Sequence, residues 1–284
     1  MKIKNIGKGM LRTGLTAGLL LWVAFQLDMD HVISAVRGAD HLLLFFAVIP
    51  YVISRLLGAY RLGIILRQDD LSLSLKENIS LQWASMFYGM FLPGGLGADA
   101  YKLIRLRPLY PGKNPAAGLA KDLLADRLVG LAALISLAMA AGMPAFRQFP
   151  WVYGAVPAAL ILMLTAIYYA AKRWIPRLLG SLPLLLILSL AIQLCQVVSI
   201  LLILAALGVH SDYFAHSLIF LLSSIAAMLP FSVGGVGIRE LVFLQGAAFF
   251  AISPHESVAA GFTFDFIVTM VALTGSVAAM RSSE

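Results

Sequence analysis

Twice in this chain an apolar run is broken by proline, then Gly-Gly-x-Gly, then a charged residue. The first break holds Pro93, Gly94, Gly95, Gly97 and Asp99; the second holds Pro230, Gly234, Gly235, Gly237, Arg239 and Glu240. Proline removes an amide donor and glycine admits unusual dihedrals, so each stretch interrupts a helix. The flanking sequence is apolar enough to sit in a bilayer, where exposed backbone is tolerated only if protein buries it or it lines a wet cavity. Paired breaks at corresponding places are the sequence signature of a transporter's binding site.

Composition sets the solvent. Of 284 residues, 61% are hydrophobic and 12% charged, with a mean hydropathy of +0.90. A soluble domain is about a quarter charged, so the chain reads as an integral membrane protein. Its net charge of +7 then marks cytoplasmic loops rather than a nucleic-acid surface. Cys195 is the sole cysteine, which excludes an internal disulfide or a cysteine metal cluster. His31, His41, His210, His216 and His255 fall at expected loop edges without ligand spacing, so no metal is expected. The glycine runs lack the Lys-Ser/Thr of a P-loop, and no cofactor is expected.

Runs of about twenty apolar residues place six spans, at about 10–27, 41–66, 116–141, 151–170, 182–207 and 255–280. The basic start, Lys2 to Arg12, has no cleavage site behind it and reads as leading into an uncleaved first helix. Segments 78–92 and 97–107 around the first break, and 213–229 and 237–250 around the second, are too short to cross and read as re-entrant hairpins. Basic residues place both termini, and the loops at 102–113 and 172–177, in the cytoplasm. The hairpins then enter from opposite sides.

Each element recurs about 140 residues later, with Gly94, Gly95 and Gly97 falling on Gly234, Gly235 and Gly237, and Asp126 within a residue of Asp265. Three spans per half turn the second copy upside down. The fold expected is therefore an all-α polytopic membrane protein, a single domain over 1–284, with inverted repeats at about 10–141 and 151–280. A substrate site is expected where the halves meet.

An ionisable residue inside a span costs at least about 2.5–3.5 kcal/mol and needs a reason. At 1.5 Å rise per residue, Arg61 lies about 8 Å from its helix end and can snorkel, whereas Arg55 lies about 16 Å in. Arg55 is thus the stronger binding candidate, its alternative being a structural pair with Asp126 or a hairpin carbonyl. Asp122 and Asp126 share a helix face, with Arg127 about 100° around. Lys121 points elsewhere and reads as a snorkelling side chain. Asp126 and Asp265 can bind a cationic group, relay protons, or clamp Arg55 and Arg127. Asp99 and Glu240 either cap the second hairpin helices or meet an ammonium, and Arg239 suits a phosphate at a helix N-terminus.

The stretch from Phe91 through Asp99 to Lys102, the Asp126-Arg127 pair with Gly130, and Pro230 through Arg239-Glu240 resemble the lysylphosphatidylglycerol synthase transmembrane-region family. That family is the flippase-like membrane domain of bifunctional lysyl-lipid synthase/flippase proteins. Departures are small: Ala98 stands where glycine is common and Lys102 where arginine is common. The resemblance implies roles for Arg55, Arg61, Asp99, Lys102, Asp126, Arg127, Arg239 and Glu240. No polar domain follows Met280, so the expectation is a stand-alone flippase-like protein of a bacterial inner membrane rather than an aminoacyltransferase. Its cargo would be an aminoacyl-phospholipid, an anionic phospholipid or a polyprenyl-phosphate sugar. The alternatives are a membrane partner of a separate lipid synthase or glycosyltransferase, and an intramembrane lipid-modifying enzyme using Asp126 and Asp265.

Overall fold

In a computed structural model the described residues are 34, 36–90, 96–111, 114–228 and 237–281. The first expected span and the break residues Pro93, Gly94, Gly95, Pro230, Gly234 and Gly235 lie outside them. Nine α-helices are described: α1 (His41–Arg67), α2 (Leu75–Gly89), α3 (Leu96–Leu106), α4 (Pro115–Ala145), α5 (Val152–Trp174), α6 (Leu182–Ala206), α7 (Tyr213–Ala227), α8 (Ile238–Phe250) and α9 (Pro254–Arg281). Five of them, α1, α4, α5, α6 and α9, are long and apolar enough to span a membrane. The short pairs α2–α3 and α7–α8 flank the two breaks.

Local chemistry sets the helix starts. Asp40 Oδ1 accepts the Leu42 and Leu43 amides at 2.8 and 3.2 Å, opening α1. Ser74 and Glu77 form a reciprocal capping box at the start of α2, with bonds of 2.7 and 3.3 Å. Pro115 occupies the first turn of α4, where its missing amide costs nothing. Gly237, with φ of +86°, precedes α8 in a conformation that side chains disfavour.

The helices pack in a reciprocal pattern. α1 lies along α6, and a buried Ser199 Oγ donates to the Ala47 carbonyl at 2.7 Å between them. α4 packs on α7, and α9 packs on α2. With α1 matched to α6, α2 to α7 and α4 to α9, these last two contacts are one relation with the halves exchanged. The main apolar cluster, including Tyr51, Phe220, Phe243, Phe264 and Ile203, lies where α1, α6, α7, α8 and α9 meet. More than half of the apolar stretch of α9 is buried, whereas none of that of α5 is. So α9 is central and α5 peripheral.

The first short pair begins and ends near the same neighbours. The chain leaves α1 at Asp69 and returns after α3 at Tyr110, and both residues belong to one polar cluster completed by Asp122 and Arg177. At the opposite end the Asp40 amide donates to the Ala206 carbonyl at 2.9 Å, just before α7 begins. Phe146, at the end of α4, packs on Phe249 and Phe250, where α8 stops. His216 lies in the first turn of α7, next to the loop, and is buried there.

Candidate functional site

The second break delivers a charged corner. Glu240 Oε2 turns back to accept the Gly237 amide at 2.7 Å, fixing the first turn of α8. That turn aims Arg239 inward, where its Nε stands 2.8 Å from Asp265 Oδ1 on α9. The contact is an ion pair rather than an aligned hydrogen bond, since the Nε proton has no well-directed acceptor. Arg239 Nη1 donates to Ser223 Oγ at 2.9 Å and Ser224 Oγ at 3.3 Å, both on α7. The guanidinium carbon lies 5.6 Å from the Phe220 ring centre and 5.2 Å from that of Phe264. Two aromatic faces and one carboxylate hold a cation away from water.

The first break delivers a corner of the same design. Arg61 Nε donates to Asp126 Oδ1 at 2.8 Å, and its Nη1 donates to Ser189 Oγ on α6 at 2.7 Å. Arg127 pairs with Asp99 on α3. Lys102, one turn beyond Asp99, is buried, and the charges of Asp126, Asp99, Arg61 and Arg55 all act on it. Tyr101 stacks on Tyr88 with ring centres 4.6 Å apart, tying α3 to α2.

Arg55 links the two corners. Its guanidinium lies 4.9 Å from the Tyr51 ring centre, and its Nε donates to Ser54 Oγ at 3.2 Å. Tyr51 in turn meets Phe264 edge to face at 5.7 Å and lies in the fields of Arg55, Asp265 and Arg239. Among the described residues, neither Arg55 nor Lys102 pairs with a carboxylate. The two corners together hold five cationic and four acidic side chains among the described residues: Arg55, Arg61, Lys102, Arg127 and Arg239 against Asp99, Asp126, Glu240 and Asp265.

At three points the structure decides between alternatives that position along one helix left open. Arg61 does not snorkel; its side chain is only 10% exposed and is held on two sides. Asp126 takes Arg61, not Arg55. Asp126 and Asp265 therefore do not clamp Arg55 and Arg127, because Arg127 turns to Asp99 and Asp265 to Arg239.

A further polar cluster escaped the sequence altogether. Arg177, expected in a basic surface connection, points its Nη2 at Asp69 (2.5 Å) and at the fully buried Asp122 (2.8 Å). Tyr110 donates to Asp122 Oδ2 at 2.8 Å. Burial and the neighbouring Asp122 push the Asp69 carboxyl up to about 6, against the pull of Arg177. The available signal was the presence of two acids and one base in segments assigned to the same side.

Two apolar grooves flank α4. One, of about 1190 Å³, is bounded by α4, α7 and α8 and lined by Leu218, Leu222 and Val242 among others. The other, of about 730 Å³, runs between α4 and α5 and carries Lys121, Arg173 and Trp174 in its lining. Lys121 is exposed there, as a snorkelling side chain would be.

A helical bundle with spans of bilayer length and charged side chains gathered between its halves defines a polytopic membrane protein. The family described as lysylphosphatidylglycerol synthase TM region matches residues 9–275, and the chain belongs to that family. No curated protein and no solved structure matches it.

Proposed function

We propose that this chain is a lipid transporter of a bacterial inner membrane that seats a phosphate-bearing head group between its halves. The carrying observation is the pair of cations, Arg55 and buried Lys102, that lack a carboxylate partner among the described residues while Arg61, Arg127 and Arg239 each have one. Uncompensated charge inside a membrane protein is costly, and an anionic group brought by a substrate offsets it. The start of α3 beside Asp99 and Lys102 adds free amides and positive potential. The flanking apolar grooves give acyl chains a path beside α4.

The two short helix pairs act as hairpins that enter from opposite faces. That reading rests on the polar cluster of Asp69, Tyr110, Asp122 and Arg177 at one end, and on the Asp40–Ala206 and Phe146–Phe250 contacts at the other. The reciprocal packing of α4 on α7 and α9 on α2 supplies the surfaces along which one half rocks against the other.

The test is reconstitution of the purified protein into vesicles containing labelled phosphatidylglycerol or its lysyl ester. Lipid movement should fall at least about tenfold, the equivalent of about 1.4 kcal/mol, in Arg55→Gln and in Lys102→Gln. Movement at the wild-type rate in both variants would remove the head-group seat proposed here.

A further inference from the structure

Glu240 is fully buried. Its Oε2 accepts the Gly237 amide, but Oε1 has no hydrogen-bond donor. Asp265 Oδ1 faces Arg239, while Asp265 Oδ2 is also buried and without a donor. The two carboxyl groups lie within each other's electrostatic reach, each beside Arg239. Two acids and one guanidinium therefore share a largely buried space.

Among the described residues, the other elements around that space bring no second cation into contact. α7 contributes the hydroxyls of Ser223 and Ser224, both engaged with Arg239. Ser223 spends its own proton on the Phe220 carbonyl at 2.7 Å. α1 contributes Tyr51 and, beyond its ring, Arg55. α9 contributes Asp265 itself, and α8 contributes Arg239 and Glu240. Adjacent buried carboxylates facing a single cation do not both stay ionised; they titrate as a unit. One proton held between them supplies the donor that both orphaned oxygens lack.

We propose that Glu240 and Asp265 form a proton-carrying pair, and that the protein couples lipid movement to proton movement through it. The coupling half rests on the transport reading above. In the step itself, one carboxyl O–H bond breaks and its proton passes to water. The pair is left doubly negative beside the single positive charge of Arg239. In that state it repels an anionic head group at Arg55; with the proton aboard it does not. Proton and anion therefore bind together and leave together.

The proton site is tested without any lipid substrate, by infrared spectroscopy of the full-length protein in nanodiscs at neutral pH. The wild type should show the carbonyl stretch of a protonated carboxyl that shifts in heavy water. That band should disappear from Glu240→Gln and from Asp265→Asn. A wild-type spectrum without it, or one unchanged in both variants, overturns the site. Coupling is tested with the wild type in vesicles carrying labelled phosphatidylglycerol and a lumenal pH dye. A pH gradient should raise the rate of lipid movement several-fold and lipid movement should shift the lumenal pH. If lipid moves but ignores the gradient, coupling fails and transport stands. If no lipid moves, transport and coupling fall together, and the infrared result still decides the proton site.

Discussion

Asp99 and Arg239 stand at matching positions, each two residues beyond the last glycine of its break, and each reaches the long helix that follows in its own half, with opposite polarity. Asp99 takes Arg127 on α4, and Arg239 takes Asp265 on α9. One architecture is thus used with its charges reversed. The environments differ: both members of the first pair are 28% exposed, those of the second 10% and 14%. Removing one partner of a buried pair strands the other at a cost of about 3–5 kcal/mol, whereas an exposed pair contributes about 0–1 kcal/mol. Arg239→Gln should therefore lower the melting temperature in detergent far more than Asp99→Asn. Equal losses would show that the two corners are held by something other than these pairs.

Arg61 should behave as a structural tie. It joins α1 to α4 through Asp126 and to α6 through Ser189, so it crosses between the halves. Ser189→Ala removes one bond to a charged group, at about 1.5–3 kcal/mol. Asp126→Asn leaves the arginine without a counter-charge and should cost more. The double change Arg61→Met with Asp126→Leu should recover much of that loss, since an apolar pair needs no desolvation. Unfolding measurements on the four proteins check the ordering; a double variant as unstable as Asp126→Asn would contradict it.

These ties explain what the sequence could and could not disclose. Bilayer-length runs and paired breaks are properties of one segment, and α1, α4, α5, α6 and α9 fall close to their expected limits. Short helices beside each break were legible for the same reason. Partnership is different. Depth along a helix says how far Arg61 lies from water if nothing covers it, and α4 with α6 covers it. Helical spacing placed Asp122 and Asp126 on one face, yet they answer to different elements: Asp122 to Arg177 and Tyr110, Asp126 to Arg61. The reversed polarity of Asp99 and Arg239 was visible as letters, but its meaning depends on which side chains α4 and α9 turn toward the breaks.

The Asp69 cluster gives a pH dependence with a definite sign. The fold raises this carboxyl to about 6, so the folded state favours the protonated form. Its stabilising contribution is complete below the ordinary carboxyl range near 4 and is lost as pH rises through about 6. Asp69→Asn should therefore be nearly neutral at or below about pH 4 and gain stability relative to wild type by pH 7. Arg177→Gln should do the reverse. Among the described residues it strips the only cation that faces both Asp69 and Asp122, and its penalty should grow from pH 5 to pH 8. Melting temperatures of the three proteins across that range, taken as differences, isolate the cluster; parallel curves would refute the assignment.

Gly275 on α9 tests the reciprocal packing directly. A methyl group built there would overlap the carbonyl oxygen of Trp83 on α2, and would also press on Phe87 Cβ at 3.3 Å. The overlapping atom is backbone within a helix, so it cannot swing aside as a side-chain tip would. Gly275→Ala must instead separate α9 from α2, the contact that matches α4 on α7 in the other half. Gly58 offers the control, since a methyl there meets nothing within 4 Å. Forced separation of packed helices costs about 1–3 kcal/mol or more. The expected outcome is a clear fall in melting temperature and folded yield for Gly275→Ala, with Gly58→Ala indistinguishable from wild type or slightly more stable. Tolerance of both substitutions would mean that α2 and α9 do not approach as closely as described.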